Sequence, residues 1–450
     1  MTDHTRREQA FERVARWREE HRIPGLSVAI SHGRDVTARG FGHRMLDPPC
    51  EATSDTRYAV GSVGKPITAL ATLIATDEHG VTLDSAVVEY LPVFARVPGD
   101  PITVQQLLSH TSGMPDDDLA MVASDLERWE GVSEMVAEVA PERLTGLSSW
   151  IYYNTGYVAL ARLIEVLTGA SFASYVRDEL FEPLDMDASR YGPNTVDGAR
   201  GNLMQAYELS DGVHREVELQ FPPVLAGAGG LVAPVTDLAQ FLRLQTRQES
   251  PVPPEKLRRL RRPVTTRRRL VDGTQFRYGS GWELDPFGDD ILVGHGGNTG
   301  SSGGYIGYLQ EAGIGVALAW NMRPPTDPRA IATELLAILL DEPLSQLDPT
   351  TRLERQIEAF EGSYESIGGA HTASLAWEPP AVRFEISNPD GTFENKLRLA
   401  SIEDETYRFI GENGLEETPT MDLLTGQGAT RVRYDQLLFR PAPVDRPEGR

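Results

Sequence analysis

Ser62-Val63-Gly64-Lys65 is the stretch on which the reading of this chain turns. A lysine three residues after a serine, at the start of a helix, lies on the same helical face, which brings its amine over the serine hydroxyl. The helix N-terminus adds free N–H groups and partial positive charge at Ser62. Lysine is scarce in this protein: Lys65, Lys256 and Lys396 are the only three among 43 basic residues. Two other readings of the stretch fail. A Walker phosphate loop needs glycine where Ala59 stands and Ser or Thr where Pro66 stands, and a G-x-S-x-G nucleophile elbow needs glycine where Val60 stands. What remains is either a serine that caps a surface helix or a serine activated by an amine.

Outward from this stretch, Ala10, Phe11, Val14 and Trp17 make one apolar face and predict an N-terminal helix. A hairpin follows, with strands Leu26 to Ile30 and Val36 to Phe41 around His32-Gly33-Arg34. The serine helix runs through Ala69, Leu73 and Ala75 to His79-Gly80. Helical patterns dominate from there to Phe241, including Thr103 to Leu108, Gly156 to Leu167 and Ala173 to Leu180. Strands return at Tyr278 to Glu283, Ile291 to Gly294, Gly304 to Leu309 and Gly313 to Trp320, and a helix over Pro328 to Leu340 closes the unit. The pattern predicts an α+β fold: an antiparallel sheet flanked by the terminal helices, with an all-helical subdomain inserted between its strands. Pro343 and Pro349 mark Asp341 to Thr351 as a linker, giving domains 1–345 and 352–450. The tail alternates in period two at Val382, Phe384 and Ile386, at Leu397 and Leu399, at Tyr407 and Phe409, and at Val432 and Tyr434. Turns at Asn388-Pro389-Asp390-Gly391 and Glu412-Asn413-Gly414 separate these runs, which predicts a small all-β, barrel-like domain.

Composition bounds the partners. A net charge of -23 opposes nucleic acid and anionic membrane, since both need a field of the opposite sign. Few lysines among many carboxylates suit a salt-loving source or an arginine-favouring genome. The Arg- and Glu-rich start, Met1 to Arg22, has no apolar run, and Cys50 is the only cysteine, so the expectation is a cytoplasmic protein without disulfides. The histidines show no metal-ligand spacing, and neither a metal nor a cofactor is implied. The basic run Lys256 to Arg262 with Arg267 to Arg269 suits a solvated face or an acidic ligand. Whether the chain forms a homo-oligomer is left open.

Two further motifs follow Ser62-x-x-Lys65: Tyr152-Tyr153-Asn154 and His295-Gly296-Gly297, the latter followed by Asn298. In this order and with long separations, they resemble the serine β-lactamase and penicillin-binding-protein superfamily, most of all its class C and CubicO-type peptidase and esterase branch. Framework strings support the likeness: Val81 to Asp84, Leu107 to Gly113 around His110, Gly227 to Leu231, and Tyr278 to Trp282. It spans Arg22 to Leu340. A CubicO-type unit followed by a lipocalin-like domain is similar in layout to the whole chain.

The resemblance implies a β-lactamase/transpeptidase-like fold and gives each residue a role. Ser62 attacks a carbonyl carbon and forms an acyl-enzyme. Lys65 takes the serine proton, which requires an amine with a lowered pKa. Tyr152 shares that proton and delivers it to the leaving group. Asn154 holds Lys65 and the substrate amide, and the backbone N–H groups of Ser62 and Asn298 receive the oxyanion. Three residues depart from the pattern. Tyr153 replaces the usual serine and narrows or lids the site. His295 stands where lactamases carry lysine, and Gly296 where they carry a hydroxyl, so carboxylate recognition is weaker and rests on a fractionally charged imidazole. His295 is then a substrate-orienting or proton-tuning group. These departures favour a serine hydrolase acting on small peptides or amides, D-residue peptides included, with Asn154, Gly296, Gly297 and Asn298 as the substrate-binding residues that the resemblance implies. A carboxylic ester hydrolase or weak β-lactamase is the close alternative, and a non-catalytic penicillin-binding-like protein the distant one. The partner implied is a small molecule or short peptide.

Overall fold

The computed structural model describes residues 3–115, 128–146, 149–191, 201–219, 223–246, 251–367, 369–388, 391–403, 406–411, 421–425, 430–434 and 437–442. The turn string Glu412-Asn413-Gly414 lies outside them, as do Pro389 and Asp390. The chain divides into two compact units, residues 1–268 with 276–347 and residues 269–275 with 348–450.

The first unit is built on strands β1 (Gly25–His32), β2 (Asp35–Met45) and β3 (Cys50–Glu51) from its start. The sheet is completed by β9 (Thr265–Arg269) and β10 (Gln275–Tyr278), each of which has one terminal residue, Arg269 or Gln275, grouped with the second unit, and by β11 (Glu283–Phe287), β12 (Asp290–Asn298), β13 (Gly303–Leu309) and β14 (Ile314–Trp320). They form one sheet in the order β3-β2-β1-β14-β13-β12-β11-β10-β9. The neighbours from β3 through β10 are antiparallel. β1 is buried on both faces, and its period-two alternation sorts its side chains. Leu26, Val28 and Ile30 join Phe11, Val14 and Trp17 of the N-terminal helix (Asp3–Glu20) and Ile331, Leu335 and Leu336 of the helix Pro328–Leu340. Ala29 faces the opposite core, with Ile306, Ala317 and the serine helix Lys65–Glu78.

Between β3 and β9 lies the inserted region. Helices Trp129–Val139, Asn154–Thr168 and Val235–Thr246 dominate it. It also carries short strands: β4 (Tyr58–Ala59), β5 (Arg190–Tyr191) and β8 (Leu231–Ala233) form a small sheet, and β6 (Ala206–Ser210) pairs with β7 (Val213–Val217).

Two local expectations are corrected. Tyr278 to Glu283 is a turn, not a strand: β10 ends at Tyr278, β11 starts at Glu283, and the Gly279 N–H bonds to the Trp282 carbonyl across it. Gly281 sits there at φ +77°, where a Cβ would press on Ala69 and the Lys65 carbonyl, so this turn packs directly on the serine helix. The proposed linker is also partly helical. Pro349 opens a helix, Pro349–Glu358, at the first position, where proline is well tolerated, and Asp348 caps it by accepting the Thr351 N–H at 2.9 Å.

In the second unit, eight strands close a barrel in sequence order, from Gly362–Ser366 to Leu437–Pro441. Val382, Phe384, Leu397, Phe409, Met421, Leu423, Val432 and Phe439 fill its interior.

Candidate active site

Ser62 lies in a single 3₁₀ turn, Gly61–Gly64, that runs into the serine helix. Gly61 begins it at φ +58°, a conformation open to glycine and strained for most other residues. That turn sits against the end of β12. A Cβ on Gly61 would lie 2.7 Å from the Asn298 nitrogen, and one on Gly297 would collide with the Val60 carbonyl and lie 2.9 Å from the Ser62 nitrogen. Glycine at both places therefore lets the backbones of Ser62 and Asn298 approach, the two N–H groups that the motif comparison paired.

Lys65 is wholly buried, and its Nζ donates to three neutral oxygens. These are Ser62 Oγ at 2.8 Å, Asn154 Oδ1 at 2.9 Å and the Ala228 carbonyl at 2.7 Å. The two carbonyl-type oxygens can only accept, so they engage two N–H bonds in either charge state of the amine. The third position, toward Ser62, holds a hydrogen in the ammonium and a lone pair in the neutral amine. Asn154 opens the helix Asn154–Thr168. Ala228 belongs to the short helix Ala226–Gly229, where Gly227 allows close packing: a Cβ there would lie 2.5 Å from the Tyr157 carbonyl.

Aromatic rings surround this amine. Lys65 Nζ is 4.8 Å from the Tyr152 ring centre and 5.4 Å from that of Tyr157, within cation–π distance. Tyr152 lies 6.4 Å from His295, centre to centre. Tyr153 does not narrow or lid the site: its ring is in the main core, 1% exposed and packed on Gly156. Its backbone is extended, φ -130° and ψ 99°, just before the helix starts at Asn154.

His295 is also corrected. It is 2% exposed, and both ring nitrogens are engaged. Nδ1 faces the Gly296 carbonyl at 2.7 Å and so carries the hydrogen, which leaves Nε2 to accept from the Tyr278 hydroxyl at 3.1 Å. Burial, followed by the charge of Lys65, pushes its pKa down to about 3, and the fractional positive charge expected at neutral pH does not survive. Gly296 is half-buried at its side and Asn298 is exposed, with its Oδ1 accepting the Gly300 N–H at 2.8 Å.

The structure thus brings Ser62, Lys65, Tyr152, Asn154, His295, Gly297 and Asn298 together. It adds three groups that the motif reading placed only in the framework: the Ala228 carbonyl, Tyr278 and His110. Part of the basic run is engaged elsewhere. Lys256 pairs with Asp77 at 2.9 Å, Arg261 donates to the Tyr308 hydroxyl at 3.0 Å, and Arg267 and Arg329 both bond the buried Asp285 at 2.6 Å. Among the described residues, no cluster of three or more metal-ligating side chains occurs.

An antiparallel sheet with an inserted helical region, and a serine–lysine–asparagine cluster at the seam between them, define the class of the serine β-lactamases and penicillin-binding proteins. The chain belongs to the Beta-lactamase family, whose profile covers residues 8–341. It is 28% identical over 393 residues to Penicillin-binding protein 4 of Amycolatopsis lactamdurans, covering 82% of this chain and 99% of that one. It is 26% identical to Penicillin-binding protein 4* of Bacillus subtilis (strain 168) over 87% of this chain and 88% of the other. Among solved structures, the octameric penicillin-binding protein homologue from Pyrococcus abyssi is similar over 96% of this chain and 99% of its own, with a TM-score of 0.74 and 27% identity.

Proposed function

We propose that this protein is a serine hydrolase acting through an acyl-enzyme at Ser62 on small amide or peptide substrates. The observation that carries the reading is the 2.8 Å bond between Lys65 Nζ and Ser62 Oγ, held by Asn154 and Ala228. In the neutral amine, the lone pair faces the Ser62 O–H and takes its proton as Oγ attacks the carbonyl carbon. The oxyanion is received by the N–H groups of Ser62 and Asn298, and a proton passes by way of Tyr152 to the leaving group, whose bond to the acyl carbon breaks. Water then repeats the sequence on the acyl-enzyme and restores Ser62.

His295 sets the substrate preference within this reading. A neutral, fully engaged imidazole offers no cation to a substrate carboxylate, so substrates without a free carboxylate near the scissile bond are favoured. D-residue amides and internal peptide bonds fit better than penicillins. The same observation favours carboxylic esters as the second reading. Likeness to the octameric Pyrococcus abyssi protein supports self-association of this chain as part of the proposal. Light scattering measures it, and a monomer at tens of micromolar would remove that part.

Mass spectrometry after exposure to a fluorophosphonate tests the nucleophile. The expected adduct is on Ser62 and is absent in Ser62→Ala, which removes one of the acceptors of the buried Lys65 amine and no helix cap. An adduct on another residue would end the central claim. Parallel assays on a D-amino-acid anilide and a matched neutral ester decide between amide and ester hydrolase by the larger kcat/KM.

A further inference from the structure

Two buried histidines flank Tyr152, and only His295 has a task in the proposed reaction. His110 is 0% exposed and follows the helix Val104–Leu108 at φ +58°, a region that asparagine or glycine occupies with less strain. Strain at a buried polar residue points to a function of its side chain. Its carbonyl accepts the Ile151 N–H at 2.9 Å, and its Nδ1 accepts the Tyr153 N–H at 3.0 Å. The two bonds fall on either side of Tyr152. Its imidazole also lies against the Tyr152 ring, 4.4 Å between centres, backed by Tyr157 at 5.1 Å and Tyr278 at 5.2 Å.

We infer that His110 is the positioning residue for Tyr152: it brackets the tyrosine's backbone with two hydrogen bonds, and through its Nδ1 acceptor fixes where the tyrosine stands over Lys65. This rests on the reading of Tyr152 as the proton carrier. Nδ1 must stay an acceptor for the bracket to hold, which places the ring hydrogen on Nε2. Burial, followed by the charge of Lys65, holds the His110 pKa well below its usual value, so protonation does not open the bracket at ordinary pH. The acceptor and the ring face are separate contributions, and they can be removed one at a time.

The test compares His110→Asn with His110→Phe. Asparagine Oδ1 stands where Nδ1 stands and tolerates positive φ, while phenylalanine keeps the ring and loses the acceptor. A role in packing alone predicts the opposite order of activity. The expected result on a neutral p-nitrophenyl ester is an asparagine variant with kcat within about threefold of wild type. The phenylalanine variant should lose about thirtyfold or more in kcat with little change in KM, as misplacement of a catalytic group does. Amide exchange at Tyr153 should stay slow in the asparagine variant and become fast in the phenylalanine variant. A phenylalanine variant as active as the asparagine one overturns the inference. So does an asparagine variant that is folded but thirtyfold slow, or that does not fold, and this arm decides alone where His110→Phe is insoluble. Wild-type protein that is neither turned over nor labelled at Ser62 instead overturns the reading of the site, and Tyr153 exchange in the variants then decides whether the bracket exists.

Discussion

At the scale of single residues, the site is governed by which groups burial leaves charged. Lys65 sits wholly inside with its amine bonded to three oxygens, and replacing it by arginine leaves a guanidinium that cannot shed its proton to offer Ser62 a lone pair. Lys65→Arg should therefore lower kcat/KM on the neutral ester by on the order of a thousandfold, the range of general base catalysis. Retention of a tenth or more of the activity would show that the amine is not the base. For His295 the native pKa of about 3 lies below the ordinary value of 6.5. Between those values the unfolded chain binds a proton that the folded one refuses, so the stability contribution is complete above about pH 6.5 and is lost as pH falls toward 3. Urea unfolding at pH 7 and pH 4.5 should show a smaller acid loss for His295→Gln than for wild type. Equal losses would mean that the imidazole titrates normally. Ser62, Lys65 and Asn154 were legible because side chains carry their chemistry in local motifs. The Ala228 carbonyl was not, since a main-chain oxygen has no signature in sequence. The neutrality of His295 was hidden as well, because it depends on Tyr278 and the Gly296 carbonyl closing around the ring.

At the scale of elements, the close approach of β12 to the serine turn is what pairs Ser62 with Asn298, and glycines make it possible. Gly297→Ala should force the strand away from Val60 and Ser62. Overpacking of this kind typically costs about 1–3 kcal/mol. A displaced oxyanion donor removes about a hundredfold or more in kcat. Thermal unfolding and fluorophosphonate labelling rates check both, and an alanine variant labelled at the wild-type rate would show that the two backbones need not touch. Long periodic elements, such as β1 and the helix Pro328–Leu340, could be read because one face of each is apolar for its whole length. The β10–β11 turn could not. Its apolar Tyr278 and Trp282 look like strand residues, and only the left-handed Gly281 lodged against the serine helix shows the bend. Pro349 misled for a related reason: proline marks both linkers and first helical positions, and the Asp348 cap that distinguishes them is a tertiary observation.

At the scale of the whole molecule, charge and core division lead to separate expectations. The net charge of -23 repels itself, and ions screen that repulsion, so the melting temperature should rise between about 0.05 and 0.5 M sodium chloride. The two compact units each have a core of their own. The barrel buries Phe384, Phe409, Met421 and Phe439, whereas the first unit buries two clusters on either face of its nine-stranded sheet. Alternation in the tail was legible because inward and outward residues differ so sharply there: Val382, Phe384 and Ile386 are buried, with Arg383 and Glu385 between them. Folding stability follows core burial, so a chain ending at Leu347 keeps the sheet, both of its clusters and every residue of the Ser62 site. We expect residues 1–347 to be soluble and to melt in one cooperative transition with Ser62 still reactive toward a fluorophosphonate. Circular dichroism and labelling of the truncated chain check this. Insoluble protein, or a broad non-cooperative melt, would mean that the first unit draws its stability from residues beyond Leu347 and that the chain folds as a single cooperative whole.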